Sequence, residues 1–229
     1  GSKSTYPDLK EKILAVHERV RKEAVTGSYG NREGGIDTVG ISNFELQSAI
    51  ATFYLKNPEN AKKLPKLYTQ MYNGDFSGIA ADVMVMKRYV LNSVRAMPFA
   101  MDMQSGISQG RAKFVQEQID KAILGSTINF LLFEWMTNID FPQLPDSFRD
   151  MKTNEVDALL FSGSLDGRTY LQDGITIAQR FKNGQHIIVE NAGHDLYMTS
   201  PLIGSMMVDF FNGKKLGTEK IILDPVEFD

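Results

Sequence analysis

The sequence has no cysteine, which removes disulfides, thiol catalysis and cysteine-ligated zinc together. That absence does not fix a compartment, because a chain without thiols persists in oxidising and reducing environments alike. Secreted, periplasmic and cytoplasmic locations all stay open. Histidine is nearly as scarce: His17, His186 and His194 are the three in the chain, too few for a histidine-rich metal site. Basic charge is not in excess. With 25 Lys and Arg against 28 Asp and Glu the formal charge is −3, which argues against a nucleic-acid or anionic-membrane partner, since either would need a basic surface or stripe. No apolar run reaches the ~18 residues of a membrane-spanning helix. Internal repeats and low-complexity linkers are also lacking. The first residues are Gly1-Ser2 rather than methionine, which reads as the scar of a removed tag.

What remains is an ordinary globular composition, 42% hydrophobic and 23% charged over 229 residues. That length suffices for one large domain or two small ones with a sizeable apolar core. The pattern changes near residue 150. Residues 3–150 read as mostly helical. Leu9, Ile13, Val16 and Val20 recur at helical spacing after Pro7. His17 falls on that helix and is expected to face water or serve a structural role. Between Val25 and Ile41, Gly27, Gly30, Gly34 and Gly35 predict a loop or small hairpin too polar to be core. Ser42 and Glu45 form a capping-box signature for a helix through about Leu55. Asn57-Pro58 starts another helical segment, broken near Pro65. Phe76 to Val94 reads as one long apolar helix, Arg111 to Leu124 as an amphipathic one, and Ile128 to Met136 as a further apolar stretch.

Residues 151–229 have a different grammar. Asp157 to Ser162 is a short apolar run ended by Gly163, and His186 to Glu190 is a second. Both read as buried strands. Helical patterns lie between and after them at Tyr170 to Phe181 and Pro201 to Phe211, and Lys220 to Leu223 is a last short strand. Alternating strand and helix predicts an α/β fold with a parallel sheet.

In open α/β sheets, catalytic groups gather at the carboxyl ends of the strands. Asp166 lies just past the first predicted strand, and His194 holds the equivalent place after the second. An acid and a histidine so placed can share a hydrogen bond that holds the imidazole as base for a serine. Asp-Gly is also a common turn dipeptide, and a lone Gly-His can be a cap or core residue; the joint placement favours chemistry. His186, inside a strand, reads as structural or solvated. Met84, Met86, Met97, Met101 and Met103 divide between core filling and an adaptable apolar pocket. Glu45, Asp75 and Asp82 are candidates for binding a free amine by charge alone.

Asp157–Thr169 (DALLFSGSLDGRT) and His186–His194 (HIIVENAGH) resemble the last two catalytic segments of the α/β-hydrolase fold. The closer resemblance is to the proline iminopeptidase and tripeptidyl-aminopeptidase (TAP-like) branch. It extends through Leu144–Arg149 and Ala100–Gly106 to Tyr6–Leu9. The resemblance implies an incomplete α/β-hydrolase fold: a helical lid region over 3–150, and a C-terminal segment over 151–229 carrying the catalytic Asp166 and His194. It implies hydrolysis of a peptide, or of a small amide or ester, with aminopeptidase action foremost, and no metal or organic cofactor.

The nucleophile of that fold sits on a sharp strand-to-helix turn ahead of the acid and histidine. Gly106-Ile107-Ser108-Gln109-Gly110 has the form Gly-x-Ser-x-Gly and the right chain order. The residues before it are not a buried strand, since Pro98 lacks a ladder donor and Asp102 would be a buried charge. Ser108 is therefore expected to cap a helix. The expectation is a fragment cut through an enzyme, supplying Asp and His but inactive alone. Its first strand would present an unpaired edge through which two copies form a homodimer. Two alternatives stand beside it: a non-catalytic helical interaction module, and a complete small esterase using Ser108.

Overall fold

The computed structural model describes residues 5–90, 95–128 and 132–228. Its first helix, α1 (Leu9–Lys22), turns Val16, His17 and Val20 inward, as the helical repeat demands. His17 is 1% exposed, so of its two expected roles the structural one holds and the water-facing one does not: it adjoins Val16 on the buried stripe. Its Nε2 lies 2.9 Å from the Tyr68 hydroxyl and its Nδ1 3.4 Å from Asn43 Oδ1. Burial holds this imidazole below its ordinary pKa and pushes the Tyr68 hydroxyl up. The pair is a satisfied core contact.

An antiparallel hairpin follows, β1 (Val25–Gly30) and β2 (Ile36–Ile41). The hairpin expectation holds, but its exclusion from the core does not. Gly27 and Ile41 are buried, and a side chain at Gly27 would collide with Phe76 O at 2.6 Å. Polar outward residues masked this in the sequence. The capping box then forms: the Ser42 N–H donates to Glu45 Oε2 at 2.6 Å, and the Glu45 N–H to Ser42 Oγ at 3.4 Å. It opens α2 (Asn43–Phe53), two residues shorter than expected.

After the short α3 (Pro58–Ala61) come α4 (Leu64–Tyr72) and α5 (Ser77–Val85). Arg19 donates from its two guanidinium nitrogens to Met71 O and Tyr72 O, each at 3.0 Å, and so caps the carboxyl end of α4. The expected helix from Phe76 to Val94 is not continuous. A π-helical segment, Met86–Val90, succeeds α5, and residues 91–94 lie outside the described ones.

The next helix, α6 (Ala96–Ser105), carries Pro98 in its first turn, where a missing N–H costs no helical bond. Then come α7 (Gln109–Ile119), α8 (Leu132–Asn138) and α9 (Asp146–Arg149). Helix α7 ends before the expected Leu124, and it buries no residue. The apolar stretch expected over 128–136 includes residues 129–131, which lie outside the described residues, as does the Gly1-Ser2 start. Val16, Val20, Leu46, Ile50, Leu67, Met71, Ile79, Val83 and Met86 are among the buried apolar side chains of this helical unit. The unit takes in the residues up to Phe53 and Lys63–Arg149.

The second unit comprises Tyr54–Lys62 and Asp150–Glu227. Its sheet runs β3 (Ala158–Gly163), β4 (Gly184–Glu190) and β5 (Lys220–Ile222), all parallel and in that spatial order. Helix α10 (Leu171–Ala178) joins β3 to β4, and α11 (Pro201–Phe211) joins β4 to β5. This is the alternation expected of an α/β fold with a parallel sheet. Ile187, Val189, Ala192, Ile203, Met206 and Ile221 form its core, with Leu159 and Phe161 packed against them. The alternate strand residues Ser162 and His186 lie under Gly174 of α10. Among the described residues, β3 pairs with a strand on one side only.

Candidate active site

The register of β3 and β4 sets Gly163 opposite Val189, so the two chains leave the sheet side by side. Their loops stay laced together. The Ser164 N–H donates to Val189 O at 3.0 Å, the Leu165 N–H to Ala192 O at 2.9 Å, and the Asn191 N–H to Ser164 Oγ at 3.0 Å. Asn191 takes a left-handed backbone conformation, φ 62°, which asparagine tolerates better than most residues. Its side-chain amide donates to Leu223 O at 2.7 Å, tying the turn to the residue after β5.

This lacing brings Asp166 and His194 together. His194 Nδ1 lies 3.0 Å from Asp166 Oδ2. An ionised carboxylate only accepts, so Nδ1 carries the proton and donates it, and the neutral ring keeps its lone pair on Nε2. The other carboxylate oxygen, Oδ1, accepts from the Arg168 N–H at 2.8 Å and the Thr169 N–H at 2.9 Å. Asp166 is thus held from both oxygens. Its side chain is 8% exposed, against 36% for His194. The acid is sheltered while the imidazole opens outward. Among the described residues, Nε2 has no hydrogen-bond partner. Such an arrangement can serve as a base with a fixed tautomer and a free lone pair.

Residues 134–219 match the TAP-like protein family. The match supports an α/β-hydrolase, TAP-like C-terminal region. Both segments that carry the resemblance, Asp157–Thr169 and His186–His194, fall inside the matched span, whereas Ala100–Gly106 and Tyr6–Leu9 fall outside it. No curated protein and no solved structure matches the chain.

Sequence reasoning did not pick out Lys56 and Asp195 beside the histidine of the TAP-like region. Lys56 Nζ lies 2.8 Å from Asp195 Oδ1, and this ammonium, with the Asn57 amide, holds the Asp195 carboxyl below the usual carboxylate range. Only the adjacency of Asp195 to His194 hinted at it, because its partner lies well over a hundred residues upstream. A cavity of about 570 Å3 borders the same loop, lined by Asn57, Asn191, Gly193, Asp195 and Leu223. Neither Asp166 nor His194 lines it.

The remaining candidates take structural positions. Ser108 Oγ accepts from the Arg111 N–H at 3.3 Å and caps α7, and the element before it is helix α6 rather than a strand. The esterase alternative therefore lacks the strand-to-helix elbow it requires. His186 Nε2 sits 2.9 Å from Ser162 Oγ, and burial lowers its pKa; this pair lies within the strands rather than at their ends. Glu45 is spent on its capping box and on Lys87, whose Nζ is 2.7 Å away. Asp75 Oδ1 accepts from the Ser77 N–H at 2.9 Å and hydroxyl at 2.6 Å, at the start of α5. Asp82 is half-buried on α5. Of the methionines, Met86 and Met103 are core, whereas Met97 and Met101 are exposed. Among the described residues, no helix is long and apolar enough to cross a membrane, and no cluster of His, Asp and Glu is placed to hold a metal ion.

Proposed function

We propose that Asp166 and His194 are the acid and the base of a Ser-His-Asp triad in a peptidase-like serine hydrolase. Its serine lies outside this chain, which is inactive by itself. The observation that carries the proposal is the 3.0 Å contact from Asp166 Oδ2 to His194 Nδ1, set at the ends of consecutive parallel strands with Nε2 left open. In the reaction, Nε2 takes the serine proton as the oxygen attacks a substrate carbonyl. The resulting imidazolium is stabilised by the Asp166 carboxylate and then protonates the leaving amine. Removal of residues from a peptide amino terminus is the favoured activity, with small amides and esters served by the same chemistry.

Ser108 is spent on a helix cap, which supports a nucleophile elsewhere. Ser108→Ala is expected to cost about 1 kcal/mol of stability and leave turnover of the whole enzyme unchanged. A fluorophosphonate that reacts with activated serines should not label Ser108. Stoichiometric labelling there would overturn the assignment of the serine to another segment.

In this reading the helical unit serves as the lid, and the free edge of β3 is where the sheet continues. With that edge open, two copies of this chain pair through it into a homodimer. Light scattering at high concentration should report twice the chain mass, and a strictly monomeric species counts against the pairing.

A further inference from the structure

Asn57 is placed unlike an ordinary helix cap. It occupies the N-cap position of α3, ahead of Pro58 at the first helical position, yet its side chain makes no bond to its own helix. Asparagine at that position normally accepts from an N–H two or three residues on. Here the amide turns to the histidine loop instead. Oδ1 accepts from the His194 N–H at 3.0 Å and from the Asp195 N–H at 3.2 Å, while Nδ2 donates to Asp195 Oδ2 at 2.8 Å. The His194 N–H is shared with Lys56 O at 2.9 Å. Proline at the next position restricts Asn57 to extended backbone, and it sits at φ −138°, ψ 146°. Its side chain is therefore presented from a stiff mount.

The same strand of chain abuts both catalytic loops. A side chain at Gly193 would meet Lys56 O at 2.5 Å and Asn57 Cα at 2.6 Å, and one at Gly167 would meet Leu55 O at 2.4 Å. Gly167 directly follows Asp166, and Gly193 directly precedes His194. The close approach at both sites leaves room for no larger residue.

We infer that Asn57 is a positioning residue for His194: it clamps the backbone of the histidine loop and so holds the imidazole in register with Asp166. The inference rests on the triad reading above. Without the clamp, the half-exposed ring has one side-chain bond, to Asp166, and the loop under it loses three.

Long-range 1H–15N NMR of the histidine rings at mildly alkaline pH tests it. In the unaltered chain His194 should report the Nδ1–H tautomer. Asn57→Ala should shift it toward the Nε2–H form that free imidazole prefers. Asn57→Asp alone would set a carboxylate against Asp195 Oδ2, so the rescue pairs it with Asp195→Asn: the swap keeps an acceptor for both N–H groups, returns the third bond with donor and acceptor exchanged, and should restore the Nδ1–H signature. His17 and His186 serve as internal reporters that each unit is folded. Asp166→Ala separates two kinds of failure. If it leaves His194 unchanged, the triad reading itself falls. If it shifts His194 but Asn57→Ala does not, the triad stands and the clamp is overturned. A chain carrying both Asn57→Asp and Asp195→Asn that loses the signature as fully as Asn57→Ala also overturns it. Should Asn57→Ala fail to fold, amide exchange in the unaltered chain decides: protected His194 and Asp195 amides are expected, and a freely exchanging Asp195 amide refutes the clamp.

Discussion

His194→Ala in the whole enzyme is expected to lower kcat by about six orders of magnitude, the scale on which a serine triad fails without its base. That corresponds to about 8 kcal/mol of lost transition-state stabilisation at roughly 1.4 kcal/mol per decade. The loss should fall on kcat and spare KM, because the imidazole acts on the moving proton rather than on bound substrate. Folding should be nearly untouched. The His194 side chain is more than a third exposed, its Nε2 binds nothing among the described residues, and its loop is held through backbone N–H groups. Kinetics on an aminoacyl anilide, with circular dichroism as the folding control, make the measurement. A loss under tenfold would sink the triad reading and favour the helical interaction module instead.

The parts of this chain that were legible in the sequence are those dictated by local chemistry. The apolar run ended by Gly163 and the second from His186 to Glu190 announced β3 and β4, and the capping box at Ser42 announced α2. The placement of Asp166 and His194 at neighbouring strand ends followed from strand order alone. What was not legible depends on contacts distant in sequence. Asn57 read as a helix start because Asn-Pro is a helix-start dipeptide; that its amide turns away to residues 137 and 138 positions later leaves no periodic trace. His17 was left between a structural and a water-facing role for a related reason. Its polarity suggested water, whereas a hydroxyl from α4 made burial affordable. The hairpin hid its buried positions because Gly27 contributes a close approach rather than an apolar side chain. Helix ends were also shorter than expected at α2, α7 and α10, where the apolar pattern runs past the last helical residue.

Asp166→Asn is the sharper test of the acid, because it separates catalysis from a turn. If Asp166 serves only its turn, asparagine should replace it at little cost, since both residues make such turns well. The hydrogen bonds around Asp166 argue for a large effect. Its Oδ1 accepts from two backbone N–H groups, those of Arg168 and Thr169. An asparagine amide must keep its carbonyl oxygen there, because an NH2 group facing two N–H donors would forfeit both bonds. Its nitrogen is then forced into the place of Oδ2 and points a donor at His194 Nδ1. The imidazole answers by accepting at Nδ1 and moving its proton to Nε2. That occupies the lone pair the serine proton needs. A drop in kcat of about 10⁴-fold is expected, with the fold intact and KM nearly unchanged. Ring 15N shifts should show the exchange of tautomer directly, His194 converting from Nδ1–H to Nε2–H while His17 and His186 stay as they were. A variant that turns over within tenfold of the unaltered enzyme would reduce Asp166 to a turn residue.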